Sequence, residues 1–234
     1  FLLQTDSLWV AYCFKGADAP MQVTVYNKSS EPLFVDWKKS ALIIDNTAIS
    51  FSGESMKFTE EWVDDYIYSR TMTAAGKDLG FVPPNSMISE TPVVISPRFD
   101  DIKDDLYNKS YMADANGKAL TVNKLKYTEE DSPLKFKSYL TVYYKPDQPM
   151  VLEQDFYMSN LIKTKNIQPR ILPADLQDRG DLFYIEKPAN NNALYVTLTV
   201  IGVAGLTAIG IANGENPDYQ YVINVEEWNS FNAF

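Results

Sequence analysis

Apolar and polar residues alternate one by one along several short stretches of this chain, and this alternation restricts its fold more than any other feature. Met21, Val23 and Val25 would point to one side of an extended chain. Gln22 and Thr24 would point to the opposite side. Such a pattern is typical of an antiparallel strand with one buried and one solvated face. A sheet built from strands of this kind must cover its apolar face with another layer.

Turn-forming residues separate the alternating stretches from one another. Residues 16–20 precede the stretch described above, and residues 27–32 follow it. The predicted strands lie at 8–14, 21–26, 33–37, 41–44, 48–52, 92–95, 120–127, 136–144, 151–157 and 182–186. Short strands with turns between them predict a mainly β protein, an antiparallel immunoglobulin-like β-sandwich.

The composition agrees with a folded β domain. Hydrophobic residues make up 45% of the sequence and aromatic residues 13%, which is too apolar for a disordered tail. We expect the sandwich to occupy residues 1–188, with an irregular excursion around 55–80. Residues 189–214 form an apolar membrane or packing segment, and residues 215–234 form an acidic C-terminal tail.

Charge and residue usage argue against several classes of function. The formal net charge of -10 repels phosphate backbones, so nucleic acid is not an expected partner. Histidine is absent from the sequence, which removes the commonest general base and transition-metal ligand. The acidic runs near residues 60–65 and 100–105 lack the ligand spacing of a calcium loop. We therefore predict a protein that is not an enzyme and needs no metal or cofactor.

Residues 193–212 carry no charged side chain and are about as long as a helix that crosses a bilayer. On such a helix, Ala204, Gly205, Ala208 and Ala212 would form a surface of small residues. Membrane helices use surfaces of this kind to approach one another closely. The segment therefore predicts a transmembrane helix that packs against another helix.

A second interpretation of the same segment stays open. Many of its residues are β-branched or aromatic, so it could instead form a buried strand that breaks at Gly202 or Gly205. Only acidic residues follow the segment, with no lysine or arginine after it. This charge placement argues against a cytoplasmic tail and against an ordinary single-pass anchor in the inner membrane.

Five short motifs resemble a family of uncharacterised Bacteroidota cell-envelope lipoproteins. The motifs are VTVYNK at 23–28, EPLFVDWKKS at 31–40, FVPPNS at 81–86, SPLKF at 132–136 and DFYMSN at 155–160. The corresponding family patterns are approximately "YNK…PLYIDWKKS", "IPPKS", an "SP-aromatic" strand start and "FYVS". The matches run through most of the chain before the apolar segment.

The resemblance implies an extracytoplasmic, membrane-associated protein of the outer membrane or periplasm of a Gram-negative bacterium. A signal peptide or a lipid-bearing cysteine is then expected upstream of Phe1. We expect a structural or accessory subunit of a membrane-associated complex. Its expected partners are other envelope proteins, themselves embedded in the membrane, and membrane lipid.

Two features suggest contact with carbohydrate. Trp9, Trp37, Trp62 and Trp228 could supply a platform on which sugars stack, although aromatic residues in strands more often pack in a core. This gives an alternative function, a surface module that binds glycans. The sequence Asp6-Ser7-Leu8 resembles the short sequon at which Bacteroidota attach O-glycans, which makes Ser7 a predicted modification site.

Overall fold

The computed structural model describes residues 1–52, 78–96, 102–113, 116–165, 176, 179–185, 199–202 and 220–227. These residues form fifteen strands and one short 3-10 helix, Asp104–Leu106. The strands are β1 (Leu2–Gln4), β2 (Leu8–Cys13), β3 (Gly16–Ala17), β4 (Pro20–Asn27), β5 (Leu33–Ile44), β6 (Thr47–Ser50), β7 (Leu79–Val82), β8 (Ser86–Ser96), β9 (Asn108–Ala113), β10 (Ala119–Lys126), β11 (Lys135–Lys145), β12 (Gln148–Thr164), β13 (Leu182–Ile185), β14 (Thr199–Gly202) and β15 (Gln220–Glu227).

The strands form two sheets. The first is five-stranded, in the order β1-β2-β4-β8-β14, and all its neighbours are antiparallel. The second is ten-stranded, with a main path of β3-β13-β15-β12-β11-β5-β6. Strand β10 joins it beside β12, β9 pairs with β10, and β7 pairs with β5. The parallel pair β13 and β3 lies at one end of that path. The predicted mainly β fold is confirmed, and its sheets are antiparallel except for this pair.

The two sheets share one apolar core. Inward residues alternate with outward ones along each strand, and the inward residues of both sheets meet in this core. In β2, Leu8, Val10 and Tyr12 are buried, while the residues between them are only partly covered. Phe14 follows this strand and packs edge-on against Phe136 and Phe156 of the second sheet, with ring centroids 5.3 and 5.1 Å apart. Aromatic residues thus fill the space between the sheets.

A second, smaller apolar cluster lies apart from the main core. It consists of Val122, Ile162, Leu182 and Val222, which come from β10, β12, β13 and β15. These strands are neighbours in the ten-stranded sheet. That part of the sheet therefore buries apolar side chains that do not belong to the main core.

The apolar segment at 193–212 is described only at Thr199–Gly202. These four residues form β14, which pairs antiparallel with the end of β8. An extended, ladder-paired backbone is incompatible with a helix at these four positions, whereas the rest of the segment lies outside the described residues. Among the described residues, no helix is long and apolar enough to cross a membrane.

Eight residues of the predicted acidic tail at 215–234 lie within the described part of the chain, and they form a strand. Gln220–Glu227 forms β15, which lies between β12 and β13 in the ten-stranded sheet. Tyr221, Val222, Ile223 and Val225 are buried there. The excursion predicted around 55–80 lies mostly outside the described residues, and its end, Leu79–Val82, forms β7 beside β5.

Candidate functional site

Trp9 and Tyr26 form a stacked aromatic pair on the outer face of the five-stranded sheet. They lie opposite each other on β2 and β4. Their ring centroids are 5.3 Å apart and their planes differ by 11°. The neighbours Leu8 and Val10 point into the core, so the alternation of the strand turns Trp9 outward. Both rings are only partly buried, and the pair therefore presents aromatic surface to solvent.

A row of side chains continues from this pair across the sheet. Gln4 of β1 lies opposite Trp9, and Met87 of β8 lies opposite Tyr26. The Met87 residue is 63% exposed, which is high for an apolar side chain in a sheet. Four neighbouring strands thus contribute one side chain each to the same line.

A second row runs beside the first and is formed by Leu2, Ala11, Thr24 and Ser89. Leu2 is 58% exposed. The hydroxyl oxygens of Thr24 and Ser89 lie 2.8 Å apart and share a hydrogen bond. The Thr24 and Ser89 hydroxyls therefore bond to each other across β4 and β8.

We call these two rows together the uncharged face. Neither row contains an aspartate, glutamate, lysine or arginine, although such residues make up 22% of the chain. Aromatic residues and methionine are enriched at the centres of protein interfaces, and charged residues are depleted there. The arrangement is a neutral surface suited to contact with another surface.

The other predicted aromatic positions have different surroundings. Trp37 is 3% exposed and belongs to the main core. Its indole lies so close to β7 that a Cβ added at Gly80 would stand 2.9 Å from Nε1. Trp37 is therefore a packing residue. Trp62 and Trp228 lie outside the described residues.

Asp36 and Ser40, in the motif at 31–40, stabilise an irregular stretch of β5. The pairing register between β5 and β11 shifts between Tyr139 and Thr141. Asp36 accepts a hydrogen bond from the backbone N–H of Lys39 over 3.0 Å. The Ser40 hydroxyl donates to the Asp36 carbonyl over 2.6 Å and accepts from the Thr141 N–H over 2.9 Å. These residues replace ladder hydrogen bonds where the strand bulges.

The same motif also forms a small polar cluster at the surface. The Tyr143 hydroxyl donates to the second carboxylate oxygen of Asp36 over 3.0 Å. The ammonium of Lys39 donates to the Tyr143 oxygen, also over 3.0 Å. This hydrogen bond, aided by the nearby Asp36 carboxylate, raises the pKa of Lys39. The cluster is an internally satisfied network that supports the bulge, and it leaves no free nucleophile or base.

Asn27, in the motif at 23–28, joins two loops at one end of the sandwich. Its side-chain amide is fully buried and donates to the carbonyls of Glu31, Val82 and Pro83, over 2.7 to 3.3 Å. Its side-chain oxygen accepts from the N–H and hydroxyl of Ser29. The loop after β4 is therefore held against the loop after β7. This explains why an asparagine follows an otherwise alternating strand.

Ser7 lies in the turn between β1 and β2. Its carbonyl accepts hydrogen bonds from the backbone N–H of Lys28, over 2.9 Å, and from the Tyr144 hydroxyl, over 3.0 Å. The side chain is only partly buried. The backbone is thus fixed while the side chain has some access to solvent, and O-glycosylation of Ser7 stays a prediction.

Ala204, Gly205, Ala208 and Ala212, the predicted helix-packing residues, lie outside the described residues. Within the described ranges, no three cysteine or acidic side chains are placed to hold a metal ion. Tyr26, Met87 and Leu2 were not singled out from the sequence. The alternation at 21–26 does place Tyr26 on the same side as Gln22 and Thr24, so an outward aromatic was recognisable there. The row itself depends on strand pairing, which the alternation does not specify.

Comparison of the chain with protein-family models, with curated proteins and with solved structures gives no match.

Proposed function

We propose that this chain is a non-catalytic cell-envelope protein that serves as a structural or accessory subunit of a membrane-associated complex and docks through its uncharged face. The observation that carries this proposal is the pair of neutral rows across four strands, centred on Trp9 and Tyr26 and bordered by Met87. Trp and Tyr are the residues that most often dominate the energy of an interface.

The exposure of these side chains supports a binding role. Burying a large apolar side chain is worth about 1.5–3 kcal/mol. Met87 and Leu2 are both more than half exposed, so most of this gain is unused in the isolated chain. A partner that covers the face would bury both side chains together with the outer surfaces of Trp9 and Tyr26.

The charge of the chain points to the kind of partner. With a formal net charge of -10, two copies of this chain would repel each other around the edges of a shared interface. We therefore propose a different envelope protein as the occupant, with an apolar centre that meets the uncharged face and a rim that is neutral or basic. The placement in the envelope rests on the resemblance of the motifs at 23–28 and 31–40.

The order of the strands supports the immunoglobulin-like part of the proposed fold. An immunoglobulin domain places strands A, B and E in one sheet and strands C, F and G in the other. Here β2, β4 and β8 are successive neighbours in the five-stranded sheet, and β5, β11 and β12 are successive neighbours in the ten-stranded sheet. Strand β6 lies beside β5 in the position of the additional strand C′ of variable domains.

The test uses the full chain purified from native membranes in mild detergent. A photo-activated cross-linking residue is placed at Ser89 on the uncharged face, and, as a control, at Tyr111 on β9 of the other sheet, a residue that is 74% exposed. We expect a defined cross-linked partner from position 89 and none from position 111. We also expect Met87→Lys to abolish the cross-link, because a buried unpaired ammonium is costly.

Tyr111→Lys is the matched control, since it places the same charge on an exposed residue of the other sheet. Recovery of the wild-type chain only as a lone monomer would contradict the proposal. An undiminished cross-link in the Met87→Lys variant would contradict it as well.

Glycan binding is the second candidate function, and the partly exposed Trp9–Tyr26 stack is the observation that favours it. Sugars stack on open aromatic faces, but each of these rings already covers one face of the other. Binding of the full chain to a glycan array, lost in Trp9→Ala, would place this candidate above protein docking.

A further inference from the structure

Strands β9 and β10 of the ten-stranded sheet form a lysine-lined pocket, whereas the uncharged face belongs to the other sheet. Its volume is about 540 Å³, within the range of cavities that bind small molecules. Asn108, Lys109 and Ser110 of β9 line one side, and Lys124 and Lys126 of β10 line the other. We call this the lysine pocket. Its polar lining consists of ammonium, amide and hydroxyl groups, all of which can donate hydrogen bonds.

The strand register brings two of these lysines onto one side of the hairpin. Lys124 lies directly opposite Asn108, and Lys126 is two residues further along the same face. Lys124 is partly buried, whereas Lys109 and Lys126 are exposed. Within the described part of the chain, none of the three ammonium groups forms an ion pair with a carboxylate.

Positive charge is therefore concentrated in the pocket of an otherwise acidic protein. Burial lowers the pKa of Lys124, and the like charges of Lys126 and Arg179 lower it further. The guanidinium of Arg179 is itself engaged by the Asp181 carboxylate. A partly buried ammonium that faces other cations is unfavourable, and a bound anion would offset this cost.

The type of cation indicates the type of anion. Arginine provides a planar fork that matches a carboxylate through two parallel hydrogen bonds, whereas lysine acts as a compact point charge. Two lysines on the same face of the hairpin, Lys124 and Lys126, suit a small oxyanion that carries more than one negative charge. The amide of Asn108 and the hydroxyl of Ser110 can donate to its remaining oxygens.

We propose that the lysine pocket binds a compact, multiply charged oxyanion, a phosphate or diphosphate group. The group could belong to a soluble phosphate ester or to the headgroup of a membrane lipid, and the chemistry at Lys124 and Lys126, which share one face of the hairpin, would be the same. The site does not involve the uncharged face, so it stands independently of the docking proposal.

Titration calorimetry of the full chain with sodium pyrophosphate and with inorganic phosphate tests the site directly. We expect saturable binding, stronger for pyrophosphate, that weakens as salt is added. Lys124→Gln and Lys126→Gln should each reduce the affinity by about tenfold, since a hydrogen bond to a charged group contributes roughly that factor. Lys126 is exposed, so its replacement tests the site without disturbing packing.

Lys145→Gln is the matched control, because it removes the same charge from an exposed position at the end of β11. It should leave pyrophosphate binding unchanged. Equal weakening in all three variants would mean that only the overall charge matters, and the proposed site would be wrong.

Co-sedimentation with phosphatidylcholine vesicles, with and without phosphatidic acid, distinguishes the two sources of phosphate. Sedimentation that requires phosphatidic acid and is lost in Lys124→Gln supports a lipid headgroup. Pyrophosphate binding without sedimentation supports a soluble phosphate ester. Failure of pyrophosphate, phosphate and vesicles alike to bind the wild-type chain would overturn the proposal.

Discussion

The Ser138 hydroxyl donates a hydrogen bond to the Tyr12 oxygen over 3.0 Å, and this bond joins the two sheets inside the core. Tyr12 belongs to β2 of the first sheet and Ser138 to β11 of the second. Both side chains are buried, and burial raises the pKa of Tyr12 far above its ordinary value. The phenol therefore stays neutral, and the bond fixes how the sheets lie against each other.

Replacing Tyr12 with Phe should lower the free energy of unfolding by about 1–2 kcal/mol, because the Ser138 hydroxyl would lose its partner in a buried setting. Denaturant unfolding of Tyr12→Phe, Ser138→Ala and the double variant measures this directly. The double variant should lose less than the sum of the two single losses. Fully additive losses would show that the two hydroxyls do not interact.

Asn27→Ala should destabilise the protein by about 2 kcal/mol or more, because several buried backbone groups lose the hydrogen bonds that the amide provides. The measurement is again the free energy of unfolding. Gln22→Ala is the control on the same strand, where the side chain is exposed, and it should change stability by less than about 0.5 kcal/mol. Similar losses in both variants would contradict the role assigned to Asn27.

Tyr107→Phe should stabilise the protein or leave it unchanged. The Tyr107 hydroxyl is buried and has no hydrogen-bond partner among the described residues, so it carries a desolvation cost without compensation. Removing it should raise the free energy of unfolding by up to about 1 kcal/mol. Tyr111→Phe, at an exposed position of the following strand, should have no effect. A clear loss of stability in Tyr107→Phe would show that the hydroxyl has a partner after all.

Tyr157 should titrate at unusually high pH. Its hydroxyl donates to Glu226 across β12 and β15 over 2.7 Å, and this hydrogen bond, with smaller contributions from burial and from the Glu226 and Glu129 charges, raises the pKa of Tyr157 to about 12. Since the folded-state pKa lies above the unfolded value, the resulting stabilisation is complete below about pH 10 and disappears as the pH rises towards 12.

Carbon NMR of the labelled tyrosine ring would follow this titration. Glu226→Gln should move the Tyr157 midpoint down towards its ordinary value of 10.0. An unchanged midpoint in this variant would mean that the Glu226 carboxylate is not the cause.

Local alternation predicted the strands that have one buried face. The stretches at 8–14 and 21–26 correspond closely to β2 and β4, and the runs at 136–144 and 151–157 fall within β11 and β12. In each of these strands, the alternation of apolar and polar side chains indicates which face is buried. The mainly β fold was therefore predictable from the sequence.

Features that depend on distant pairing were not predictable in this way. The apolar run at 221–225 was hidden among acidic residues, and its position between β12 and β13 is determined by residues far away in the chain. The same reason applies to β14, whose partner is the end of β8. Of the uncharged face, the sequence suggested Trp9 as an aromatic platform and Thr24 as an outward residue, but not which residues lie beside them, because the neighbours of an outward residue are set by register.

The position of β15 has a consequence for the order in which this protein folds. Until residues 220–227 have been synthesised, β12 and β13 each lack a neighbour, and their backbone groups remain open to pairing with other chains. Contacts between residues so far apart in sequence also slow folding. While β15 is not yet in place, the chain therefore passes through an interval in which it is prone to aggregation, and a chaperone that shields those two strands would lower this risk.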